Sequence, residues 1–168
     1  MRMKLRIPAV AAVTLGMGLM SGVAPVANAA PDEDACAMVT PAQWSSALGV
    51  KMGEGKHVTE TFTRTCTWNT AGPPTGGIKF VTLYLQKASE YDGGKNMAKM
   101  MGQGKMKFEA ASGVGDDAYF LSTDNDKITQ LLAKKGSGAF KIAIYGDMAT
   151  DKKKAAAKEI AGEVVGKM

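Results

Sequence analysis

The stretch Ile78-Lys79-Phe80-Val81-Thr82-Leu83-Tyr84-Leu85 decides the fold. A period of two puts Ile78, Phe80 and Tyr84 on one side and Val81, Leu83 and Leu85 on the other. Both faces are therefore apolar, and such a strand belongs inside the sheet. Upstream, Val58, Phe62, Cys66 and Trp68 alternate with Thr59, Thr61, Thr63, Thr65 and Thr67. That pattern predicts one strand over His57 to Trp68, with an apolar face and a threonine face, turned back by the Gly- and Pro-rich segment 72–77. Glu60 and Arg64 fall on its apolar face, about 13 Å apart at about 3.3 Å per residue, too far to pair directly.

Further upstream, Thr40-Pro41-Ala42-Gln43 reads as a helix start. Threonine can cap, proline suits the first helical position, and glutamine stands three residues after the cap. The helix carries Trp44 and Leu48 and stops at Gly49. Downstream, Ser89 to Met101 reads as a helix weakened by Gly93-Gly94, and Gly102 to Gly115 as irregular, glycine-punctuated chain. Asp117 to Leu121 is a short strand. Lys127 to Ala133 and Ala139 to Tyr145 form a hairpin across Lys135-Gly136-Ser137-Gly138, and Asp151 to Val165 is a closing helix. Short connections imply antiparallel neighbours. The expectation is an α+β fold: a single antiparallel sheet of about five strands with packed helices and one disulfide, in one domain over residues 30–168.

The first 29 residues have the pattern of a secretory signal. Arg2, Lys4 and Arg6 form a basic start, an uncharged apolar run follows, and Ala27-Asn28-Ala29 offers small residues for cleavage. The apolar run is short for a membrane span of about 20 residues and is interrupted by Gly16, Gly18 and Gly22. The expected location is periplasmic or extracellular, with no stable membrane anchor after cleavage. Three of the 21 basic residues leave with the leader and none of the 16 acids, so 18 bases face 16 acids, a net charge of +2. Nothing in that balance calls for nucleic acid as a partner, which would need a dense basic face and a recognition motif. Cys36 and Cys66 are the only two cysteines. In an oxidising compartment they are expected to pair, at about 3–4 kcal/mol for a loop of this size.

Three short motifs recur in a known setting. Asp34-Ala35-Cys36-Ala37-Met38-Val39-Thr40-Pro41-Ala42 leads into a helix ending Ala47-Leu48-Gly49; Thr65-Cys66-Thr67-Trp68 lies on a strand; and Gly113-Val114-Gly115-Asp116-Asp117-Ala118-Tyr119-Phe120 follows. The set resembles small exported bacterial proteins of unknown function, including a group of actinobacterial lipoproteins. The resemblance implies an antiparallel α+β sandwich and carries no catalytic or ligand residue. Asp32-Glu33-Asp34-Ala35 stands where a lipobox would precede Cys36, so lipid tethering is not implied.

The remaining chemistry is sparse. Met97, Met100 and Met101 share a helical spacing that suits either core packing or soft-metal coordination, copper(I) in an exported protein. Lys152, Lys153 and Lys154 in the first turn of the last helix could hold an anion or an acidic partner, or could be a solvated run. His57 is the single histidine, and no nucleophile elbow accompanies it, which makes a small hydrolase a third-ranked reading. With 168 residues, 45% of them hydrophobic, the chain is globular, and no motif calls for a cofactor. The favoured expectation is a non-enzymatic exported binding module for a protein or an envelope component. It would act through the sheet or through the lysine-bearing helix end.

Overall fold

A computed structural model describes residues 34–73, 77–101 and 106–168; the expected leader over 1–29 lies outside them. The elements in chain order are α1 (Ala35–Met38), α2 (Pro41–Leu48), β1 (Met52–His57), β2 (Thr65–Thr70), β3 (Ile78–Lys87), α3 (Ala88–Met101), β4 (Met106–Ala111), β5 (Asp117–Thr123), β6 (Ile128–Lys135), β7 (Gly138–Gly146) and α4 (Thr150–Val165). All seven strands join one antiparallel sheet in the order β1-β2-β3-β7-β6-β5-β4. The α+β class holds, and β3 sits inside the sheet between β2 and β7. The expected count of about five strands is wrong, because the sheet has seven.

Both additional strands are edges. β4 forms within the segment read as irregular, where it pairs residue for residue with β5. β1 forms from Met52-Gly53-Glu54-Gly55-Lys56-His57 and pairs with β2, opposing His57 to Cys66. That pairing also corrects the single long strand over His57 to Trp68. Residues 58–64 are the connection of a hairpin, and the β2–β3 ladder begins at Thr65, with one further bond from the Leu85 N–H to the Arg64 carbonyl at 2.8 Å. Val58, Glu60 and Phe62 therefore stand in solvent.

The inner face of the sheet is covered by α1, α2 and α4. Cys66, Trp68, Val81, Leu83, Leu85, Leu131, Ala133, Phe140, Ile142 and Ile144 meet Trp44 of α2 and the Ala156, Ala157, Ile160, Ala161 and Val164 stripe of α4. Each large side chain buried this way is worth about 1.5–3 kcal/mol. The α2 start carries both capping-box bonds. The Thr40 hydroxyl accepts from the Gln43 backbone N–H, and the Gln43 side chain accepts from the Thr40 N–H. Gly49 ends α2 with φ at 67°, a left-handed geometry that glycine adopts without strain. The Cys36–Cys66 disulfide is present and ties α1 to β2 within this layer, across a sequence separation of 30.

Gly55 shows how tightly this layer closes on the β1 edge. A Cβ there would lie 2.6 Å from Cys66 Sγ and 2.6 Å from Trp68 Nε1, both on side chains with no exposed surface. Gly55→Ala should lower stability by about 1–3 kcal/mol in urea unfolding, the usual cost of overpacking. Gly53→Ala, whose Cβ would meet nothing nearer than 3.4 Å, should cost clearly less.

Candidate binding surface

The outer face is covered over only part of its width. α3 lays Tyr91 over β5, β6 and β7, where it packs with Tyr119, Leu121, Leu132 and Ala139. Burial pushes the Tyr91 phenol well above its ordinary value, reinforced by the neighbouring Asp117, and pushes Tyr119 up to about 12. The Lys95 ammonium in turn holds the Asp117 carboxyl below the usual range. This half of the face is a second, smaller core.

Over β2, β3 and β7 the described residues supply no such cover. Strand register arranges the outward side chains in three rows that run across the strands. One row is Thr65, Tyr84, Lys141 and Leu132. The next is Lys56, Thr67, Thr82, Ala143 and Gln130, and the third is Asn69, Phe80, Tyr145 and Ile128. Outward residues repeat at about 6.6–6.8 Å along a strand, so the first and third rows stand about 13 Å apart. Large side chains in the outer rows and threonine and alanine in the middle make a trough.

The walls are aromatic and basic. Phe80 and Tyr145 stack at 4.2 Å between centroids. Tyr84 stacks on Phe62 at 6.3 Å and carries the Arg64 guanidinium at 5.4 Å and the Lys141 ammonium at 5.5 Å. Arg64 is itself fixed: Nε donates to the Leu85 carbonyl at 2.9 Å and the guanidinium pairs with Glu90 at 3.0 Å. Lys79 and Lys127 border the Phe80–Tyr145 end, where Lys127 pairs with Asp147. Lys56, Lys79 and Lys141 have no carboxylate partner among the described residues.

The three lysines of the last helix do not converge. Lys152 is exposed, and Lys154 donates to Glu109 at 2.6 Å. Lys153 is fully buried in the α4 stripe, where its ammonium donates to the Gly146 carbonyl at 3.0 Å and to the Asp126 carbonyl. It braces α4 against the β5–β6 turn and the end of β7. At Asp126 that turn adopts φ 55°, a region unusual for a side-chain-bearing residue.

Of the methionines, Met97 and Met100 are 62% and 81% exposed, so packing in the core does not account for them. Met97 shares an apolar cleft with Met106, and the Met101 side chain lies outside the described residues. His57 does meet a carboxylate. Its Nε2 is 3.1 Å from Asp34 Oδ1 and its Nδ1 is 3.2 Å from the Thr65 carbonyl. The neighbouring atom that could have served as a nucleophile, Cys36 Sγ at 3.6 Å, is spent in the disulfide. The Asp34–His57 contact thus fastens α1 to the β1–β2 hairpin instead of arming a thiol.

Compared with protein-family models, curated proteins and solved structures, the chain matches none. The surface must therefore be read from its own chemistry.

Sequence reasoning passed over Phe80, Tyr84, Lys141 and Tyr145 as a group. The signal that could have found them is the shared alternation Phe80-x-Thr82-x-Tyr84 and Lys141-x-Ala143-x-Tyr145, large–small–large on two neighbouring strands.

Lys153 yields a test of the brace. Lys153→Met keeps the apolar stem and leaves two carbonyls without a donor, so unfolding should become easier by about 1–3 kcal/mol. Burial lowers the folded-state pKa of Lys153 below the ordinary 10.5, so the unfolded chain binds more protons between the two values. The stability advantage of the native chain over the variant should therefore grow as pH rises toward 10.5 and shrink as pH falls through the folded value. Paired urea titrations across that range check both the size and the sign.

Proposed function

We propose that this chain is an exported, non-enzymatic binding module that takes an anionic polymer of the cell envelope along the trough of its outer sheet face. The observation that carries the reading is the set of unpaired cations, Lys56, Lys79 and Lys141, placed around half-exposed aromatic walls where no described element covers the sheet. A polyanion gains from every such cation, and the aromatic and threonine surfaces between them offer contact area and hydroxyl donors without demanding one sequence of groups. The Cys36–Cys66 bond fits an oxidising, extracytoplasmic compartment. Among the described residues no helix is long and apolar enough to cross a membrane. The lysine-bearing helix end is the weaker candidate surface, because Lys153 and Lys154 are already engaged.

The test is calorimetric titration of the folded chain with a uronic-acid polysaccharide and with a neutral polysaccharide of similar length. The acidic polymer should bind with an affinity that falls with added salt. Lys56→Glu combined with Lys141→Glu should weaken it about tenfold or more, a change of about 1.4 kcal/mol. Equal binding of the neutral polymer, or an unchanged affinity in the double variant, contradicts the reading.

A further inference from the structure

The two edges of the sheet are unlike. β1 is guarded: its register with β2 shifts between Met52 and Gly55, and Glu54 and Lys56 are exposed. A bulge of this kind discourages another strand from adding. β4 has no such irregularity. It pairs with β5 without a register shift from Met106 to Ala111, and among the described residues its other side faces no strand.

The sequence of β4 complements itself. Antiparallel pairing of two copies with the two-fold axis at Phe108 sets Lys107 opposite Glu109 of the second copy, twice, and Met106 opposite Ala110 of the second copy. On the inner face the pairing joins opposite charges, since Lys107 and Glu109 lie opposite Ser122 and Phe120 of β5, and it adds Lys107 of the second copy to a Glu109 that already accepts from Lys154 of its own chain. On the outer face it brings together two Phe108 rings, each already stacked on Tyr119 at 5.0 Å. Beside this edge, also on the outer face, Met97 of α3 lines an apolar cleft with Ala98, Met106 and Leu121, and Met100, three residues further along the same helix, is exposed.

We infer that the chain forms a two-fold homodimer by β4-to-β4 strand addition, joining two seven-stranded sheets and burying the α3 methionine ridge between the copies. A strand pair alone falls short of the roughly 800 Å² per partner usual for a stable interface, and the methionine ridge supplies apolar area next to it. The aromatic and basic trough lies over β2, β3 and β7, toward the other edge, so the dimer leaves it open.

Sedimentation of the full folded chain should show a dimer. Lys107→Glu places like charges opposite Glu109 of the second copy and should raise the dissociation constant about tenfold or more with secondary structure retained. Site-specific oxidation tests the register. The native chain has no free cysteine among the described residues, and its two cysteines are already paired. Phe108→Cys should form a covalent dimer in air, because residues on the axis face their own copies within disulfide reach. Ala110→Cys should not, because its two copies would stand about 13 Å apart. A native chain that stays monomeric at about 100 µM, or crosslinking at Ala110→Cys as fast as at Phe108→Cys, overturns the proposal.

Discussion

A sheet has two faces, and every apolar side chain on either one must be kept from water. Here that demand is met unequally. The inner face is closed by three helices, locked by the Trp44–Trp68 contact at 5.6 Å and by the Cys36–Cys66 bond. Among the described residues the outer face has α3 alone, and α3 spans β5 to β7. The rest of the molecule follows from this shortfall. Half of the outer face holds a small tyrosine-rich core, while the other half carries a surface that is compatible with water and still rich in aromatic groups.

That open half is stable because its apolar groups stack on one another and lean on cations. Phe80 shields Tyr145, and Tyr84 is flanked by Phe62, Arg64 and Lys141. Cation–aromatic contacts of this kind are worth about 0.5–1 kcal/mol at exposed sites, enough to order the side chains and too little to exclude a ligand. The same lysines that tolerate water there leave positive charge unsatisfied, which is the basis for reading the surface as a binder of polyanions. Lys153 shows the opposite use of the same residue type. Within the α4 stripe its charge is sequestered, and it serves to hold a turn in place.

Much of the fold could be read from the sequence wherever a local pattern and its tertiary environment agreed. The Thr40–Gln43 capping box, the doubly apolar β3, the hairpin over β6 and β7 and the closing helix each satisfy their own signal. The two edge strands escaped because edges need little apolar character. β1 carries two glycines and three charged or ionisable side chains, and it is a strand because Gly55 lets the backbone approach the disulfide and Trp68. β4 directs Lys107 and Glu109 to its inner face, where a core strand would bring apolar groups. The threonine alternation through residues 58–64 suggested a strand, but the ladders with β1 and β3 do not extend over this segment. For the binding surface, individual residue types were visible, but the rows exist only across strands, and no single stretch of chain contains one. The lysine triplet misled for a related reason: adjacency in sequence put Lys152, Lys153 and Lys154 at three different angles around α4.

The uneven cover of the outer face can be measured with the four tyrosines, two in each half. Tyr84 and Tyr145 border the open trough, whereas Tyr91 and Tyr119 are 0% and 1% exposed beneath α3. Nitration of the folded chain with tetranitromethane, followed by peptide mass spectrometry, should modify Tyr84 and Tyr145 and leave Tyr91 and Tyr119 unmodified until the chain is unfolded. Modification of Tyr91 or Tyr119 at the same rate as the other two, or protection of all four, would contradict the half-covered sheet.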